Sequence, residues 1–193
     1  MPSKNTTEQN ISITFANLWM NYPKDPPCVN PNGDPPPGWS NQCAIKVSVA
    51  LELSGVSFQS FSGLRCPIDI KMKGMIGSAQ QLANWLIKKP FKGCPEVTKI
   101  NPTSWEIKVS GKTGIIFFKD YWRRKGETRG QGSGDHIDLW KKDTLTPSLQ
   151  SLLRFRLGID RMPNFNPFSR GEDNLNWYSD LSKASEIWFW EIL

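Results

Sequence analysis

The sequence predicts an α+β fold, and three observations carry that prediction. The first half holds three segments with helical punctuation and helical spacing of apolar residues. The second half holds apolar or alternating runs of strand length, broken by glycine-rich turns. Helices segregated before strands, without a regular strand–helix alternation, argue for α+β and against a parallel doubly wound sheet. With 193 residues the chain suits one domain with a sizeable core, and 1–193 is read as a single domain.

Residues 1–11 are polar and are expected to be disordered. They lack the apolar stretch of a secretory signal, so the protein is expected either to stay in the cytoplasm or to leave without a cleaved signal. From Ile13 to Asn21, Phe15, Leu18 and Trp19 give one apolar helix face. Residues 22–40 contain seven prolines (Pro23, Pro26, Pro27, Pro31, Pro35, Pro36 and Pro37), which no helix or central strand tolerates. They read as an extended surface arm that delivers the chain to the next helix.

That helix starts just after Ser40 or Asn41, either of which can serve as N-cap, and runs through Leu53 to the stop at Ser54-Gly55. Its residues are small or apolar nearly all round, the mark of a buried helix. Cys43 falls in its first turn, where unpaired N–H groups and the positive dipole end favour a thiolate. Ser78 and Gln81 resemble a capping box opening a further helix, with Leu82, Trp85, Leu86 and Ile87 on its apolar side and Pro90 beyond its end. The stretch through Gly93, Pro95 and Pro102 reads as loop.

Trp105-Glu106-Ile107-Lys108-Val109 alternates and is expected to be a half-buried strand. Residues 110–114 read as a turn, and Ile115-Ile116-Phe117-Phe118 as a central strand. Residues 123–134 form a glycine-containing loop, Asp135–Trp140 a strand, and Thr146-Pro147 the start of a helix closed by Gly158. Residues 160–176 look irregular. Glu186–Ile192 is expected to be a closing strand, with Trp188 and Trp190 on one face and Phe189 on the other.

The charge balance is +6, which favours polyanions such as nucleic acid, anionic lipid or an acidic cell-wall polymer. The densest basic cluster, residues 122–125, reads as a solvated loop. No apolar run is long enough to insert into a membrane. The four cysteines, Cys28, Cys43, Cys66 and Cys94, form no C-x-x-C pair, so no metal site is expected. Cys66 and Cys94, each before a proline, are the candidates for a disulfide. Gly130–Gly134 leads into a strand and lacks a dinucleotide-binding context. Gly111-Lys112-Thr113 lacks the first glycine of a phosphate loop.

His136 is the only histidine. Strand alternation puts His136 and Asp138 on one face, and a thiolate–imidazolium pair needs a third polar group to hold the ring. Asp138 is the first candidate for that third member and Asp143 the alternative. Trp39 and Trp140 lie near the presumed site and could line its groove. The competing reading is a non-catalytic basic module for glycan or nucleic acid, with Cys43 and His136 in its core.

Four segments, Asn41–Lys46, Gly114–Asp120, Gly134–Trp140 and Glu186–Trp190, resemble the fourth family of type VI secretion amidase effectors. The resemblance runs from about Trp19 to the end of the chain. It implies a papain-like fold of the NlpC kind, with a cysteine-bearing helix packed on an antiparallel sheet that bears the histidine. It also implies a cysteine amidase that needs no cofactor. The expected substrate is the γ-D-glutamyl–meso-diaminopimelate bond of peptidoglycan stem peptides. By position Cys43 matches the nucleophile and His136 the general base, and Asp138 or Asp143 must serve as the third member. Trp39, Gln42 and Trp140 are the candidate substrate-binding residues. The implied partners are the type VI machinery and a cognate immunity protein, and no nucleic acid. The implied route leads from the donor cytoplasm, without a signal peptide, to the periplasm of a target cell.

Overall fold

A computed structural model describes residues 13–68, 72–122, 133–142, 144–145, 181 and 184–193. In chain order the elements are α1 (Phe15–Met20), α2 (Cys43–Leu53), α3 (Ala79–Ile87), β1 (Val97–Ile100), α4 (Trp105–Val109), β2 (Lys112–Trp122), β3 (Gly134–Lys142), β4 (Thr144–Leu145) and β5 (Glu186–Glu191). The strands form one antiparallel sheet in the order β1-β5-β2-β3-β4.

The apolar run at residues 115–118 is central, as its composition predicts. β2 pairs with β3 on one side and β5 on the other. Gly114 is required there, because a Cβ would collide with the Trp190 carbonyl oxygen. Both sheet faces are covered. On one face Ile115, Phe117, Ile137, Leu139, Trp188 and Trp190 pack with residues of α1, α2 and α3. On the other, Ile116, Phe118, Trp140, Ile187 and Phe189 pack with Trp105 and Val109 of α4 and with Leu181. Trp188 and Trp190 therefore face away from Phe189, as strand alternation requires.

Several local expectations are corrected. Trp105–Val109 is a short helix and not a strand. Trp105 and Val109 are buried while Ile107 is 81% exposed, the pattern of one helical turn. Val97–Ile100, read as loop, is an edge strand on β5. The turn before β2 is only Ser110-Gly111, with Gly111 at φ +73°. Ser78 does cap α3 by accepting the Gln81 N–H, but Gln81 does not reach back. Its Oε1 accepts the Leu64 N–H instead, at 2.7 Å. Ile87 lies at the rim of α3 and not in its buried face. The expected helix from Thr146, the irregular stretch 160–176 and nearly all of the loop 123–134 lie outside the described residues.

The proline-rich arm has no helix or strand. It is stitched down: Cys28 is fully buried and bonded to Cys66, and Lys46 Nζ donates to the Lys24 carbonyl at 2.7 Å. This corrects the expected Cys66–Cys94 pair. Cys94 is a buried free thiol against the Leu86 carbonyl at the end of α3.

Candidate active site

Helix α2 is apolar nearly all round, with Lys46 and Glu52 at its rim, and the structure buries Ala44, Ile45, Val47, Ser48, Val49, Ala50 and Leu51. A helix so enclosed is held by packing, so its first residue has a fixed place. That residue is Cys43. The N-cap is Gln42, and neither Ser40 nor Asn41 takes that position. Asn41 Oδ1 accepts the Cys43 N–H at a long 3.4 Å. Ser54 and Gly55 end the helix as expected, Gly55 with φ +97°.

β3 packs against α2 and carries His136 and Asp138 two residues apart. Alternation puts their side chains on one face, and His136 Nε2 lies 3.5 Å from Asp138 Oδ2. Asp138 is buried, and its Oδ1 accepts the Leu139 N–H at 2.8 Å, which fixes the carboxylate. The outer edge of β3 pairs with β4 only at Trp140 and Lys141. Beside His136 and Asp138 that edge carries no strand among the described residues. There the Cys43 side chain, at the start of α2, favours the charged form of the imidazole. With Nε2 toward Asp138, Nδ1 is the nitrogen that remains for the sulfur.

The charged imidazole is favoured in this setting. Burial works against it, but Tyr121, the hydrogen bond to Asp138 and the hydrogen bond and charge of Cys43 outweigh burial, and the pKa is raised well above the usual histidine value. Tyr121, which sequence reasoning did not single out, stands with its ring centroid 6.1 Å from that of His136. A bulge brings it there. Between the pairs Phe118–His136 and Trp122–Gly134, β2 spends three residues where β3 spends one. Asp120 within it has φ +53°, with its N–H on Asp135 Oδ1 and its carboxylate accepting from Ser185 Oγ. No periodicity in the sequence marks such an insertion.

Two expected groove residues have other contacts. Trp140 is buried, and its Nε1 donates to the Val109 carbonyl at 2.9 Å, on the α4 side of the sheet. Gln42 is buried with its amide bonded to the backbone of Cys28 and Trp39. Neither offers a polar group to a substrate. Trp39 is half-buried, with its ring over Gly77, where a Cβ would strike it. Asp143 lies outside the described residues. Among the described residues no group of His, Cys, Asp and Glu could hold a metal.

A cysteine at a helix start, a histidine on the strand beside it and an acid holding that histidine are the parts of a thiol hydrolase. Residues 39–190 match the family of the type VI secretion system (T6SS) amidase effector protein 4, Tae4. The chain belongs to this family. It is thus an amidase effector of type VI secretion, an enzyme acting on peptidoglycan. The fold is similar to that of the effector Tae4 from Salmonella typhimurium, solved in complex with the immunity Tai4 from Enterobacter cloacae. That likeness has a TM-score of 0.51 at 14% identity and covers 93% of this chain and 98% of the other. A looser likeness, TM-score 0.41 at 15% identity over 80% of this chain and 76% of the other, links it to Tae4 in the Tae4–Tai4 complex from Enterobacter cloacae. No curated protein matches the sequence. The architecture is accordingly the papain-like, NlpC-type α+β fold of the Tae4 family, with the Cys43 helix packed on the sheet that carries His136.

Proposed function

We propose that the protein cleaves the γ-D-glutamyl–meso-diaminopimelate bond of peptidoglycan stem peptides, with Cys43 as nucleophile, His136 as acid and base, and Asp138 as the residue that orients His136. The observation that carries this reading is that His136, with Asp138 Oδ2 3.5 Å from its Nε2, stands on the strand packed against the helix that Cys43 opens. The steps follow from that arrangement. His136 already holds the proton of the pair, and Cys43 Sγ attacks the amide carbonyl. The oxyanion forms at the start of α2, where the Cys43 N–H can leave its long contact with Asn41 and donate to it. His136 then protonates the departing amine, leaving a thioester that water hydrolyses with His136 as base.

Asp138 keeps the imidazole in one orientation and stabilises it when charged. The +6 charge supports attraction to an acidic wall. Delivery into the periplasm of a target cell, and neutralisation in the donor by an immunity protein that covers the cleft, belong to the same reading. The Tai4 partner of the Salmonella effector supports the latter.

Purified sacculi digested with the protein, followed by mass spectrometry of the muropeptides, test both levels. Fragments ending in D-glutamate and fragments with a new free amine on diaminopimelate are expected, and none with Cys43→Ala. An identical profile from wild type and Cys43→Ala would refute the mechanism. A new amine at another position would refute the bond assignment alone.

A further inference from the structure

The start of α2 is held by a contact outside the helix. Gln42 is 5% exposed, and its side chain makes no capping bond to the helix it precedes. Its Oε1 accepts the Cys28 N–H at 2.8 Å, and its Nε2 donates to the carbonyls of Cys28 at 2.7 Å and Trp39 at 3.1 Å. Glutamine is not a favoured N-cap. The contact with the arm gives this buried amide its use, because both of its polar atoms are satisfied there.

Cys28 is in turn bonded to Cys66. The Cys66 N–H donates to the Met75 carbonyl at 2.8 Å, and the next N–H, of Ile76, donates to Ser48 Oγ in the middle of α2 at 3.1 Å. The connections close a ring from the N-cap through the arm and the disulfide to the second turn of the same helix. A separate small core of Cys28, Ile45, Val49 and Met75 fills it. The disulfide thus lies one side chain away from the residue that precedes Cys43.

We infer that Gln42 is a positioning residue that couples the oxidation state of the Cys28–Cys66 pair to the placement of Cys43 against His136. This rests on the reading of Cys43 as nucleophile. Oxidation removes two protons and two electrons from the two thiols. The acceptor is a protein or small-molecule disulfide, which leaves as two thiols. With the bond formed, the Cys28 backbone is a fixed anchor for the Gln42 amide. With two thiols in its place, the arm between α1 and α2 loses its covalent tie and regains conformational freedom. Gln42 then follows the arm, and the Cys43 sulfur loses its register with the imidazole. The enzyme is therefore weak in a reducing compartment and gains its full rate in an oxidising one.

A coupled-variant experiment on the full chain tests this. Wild type, Gln42→Leu, Cys28→Ala/Cys66→Ala and the triple variant are assayed on purified sacculi by release of amine. Folding is checked by circular dichroism, and the Cys28–Cys66 state by mass after alkylation. Breaking the disulfide is expected to lower kcat by on the order of tenfold with KM little changed, as misplacement of a reacting atom does. Gln42→Leu is expected to show the same loss, and the triple variant no more than either, since both act through one contact. Losses that multiply in the triple variant, or a folded Cys28→Ala/Cys66→Ala protein with wild-type kcat, would overturn the inference. If the double variant does not fold, wild type treated with a phosphine reductant takes its place, and unchanged kcat on reduction is the overturning result. Cys43→Ala run alongside separates the two levels. Activity without the Cys43 sulfur removes the nucleophile reading, whereas an inactive Cys43→Ala with a redox-indifferent wild type removes only the coupling.

Discussion

Replacing Asp138 by asparagine removes a charge and leaves shape nearly unchanged, so its effect isolates electrostatics. Asp138 Oδ2 is 3.5 Å from His136 Nε2. At an effective dielectric constant of roughly 20 that separation corresponds to about 4–5 kcal/mol of attraction to the charged ring, an upper limit. The long contact argues for less, and losing the charge lowers the His136 pKa. The sign follows from the raised pKa of His136. The protonated ring is the acid that releases the amine, and it is lost as pH rises through that pKa. Wild-type kcat/KM should therefore hold well above pH 6.5 before its alkaline decline. In Asp138→Asn that decline should move toward the ordinary histidine value, with kcat at the optimum reduced by about 100-fold or more as the ring loses its orientation. Stability carries the same sign. The contribution of the pair is complete below the unfolded histidine pKa and fades as pH rises through the folded one. The assay is amine release from sacculi between pH 5 and 10, paired with thermal melts. An alkaline limb at the same pH in both proteins would refute the assignment of Asp138 as the partner of His136.

Other outcomes follow from single contacts. Gly114→Ala puts a Cβ onto the Trp190 carbonyl and should part β2 from β5, costing roughly 3 kcal/mol or more; a wild-type thermal melt would contradict the register. Iodoacetamide at pH 7.5 should label Cys43 and spare Cys94, whose thiol burial pushes up to about 11, with Cys28 and Cys66 labelled only after reduction; peptide mass mapping reads the order, and Cys94 labelled first would contradict it. Tyr121→Phe, which keeps the ring and removes the phenol oxygen, should lower the alkaline limb; a limb unchanged from wild type would remove the Tyr121 oxygen from the site.

Much of this fold was legible in the residues because burial leaves a compositional mark. Helix α2 is readable because little that is polar interrupts it, and β2 because a four-residue apolar run just after a glycine turn has little choice but the centre of a sheet. Alternation alone put His136 and Asp138 on one face. Trp105–Val109 defeated the same logic for a definite reason. Residues four apart share a side in a helix and in a strand alike, so only the exposure of Ile107 distinguishes the two. β1 was hidden because an edge strand with exposed Thr98 and Lys99 has no apolar pattern. The Cys28–Cys66 bond, the contacts of Gln42 and the bulge that turns Tyr121 toward His136 are tertiary facts, set by how the arm and the sheet meet and not by any spacing along the chain.

The central claim is that Cys43 carries the acyl group during the reaction. Rapid acid quench of the protein turning over a soluble stem peptide, followed by intact-mass and peptide-mass analysis, tests it most directly. The account predicts an adduct with the mass of the acyl portion on the peptide containing Cys43, transient in wild type and absent in Cys43→Ala. Turnover without any adduct in wild type, together with turnover by Cys43→Ala, would contradict it.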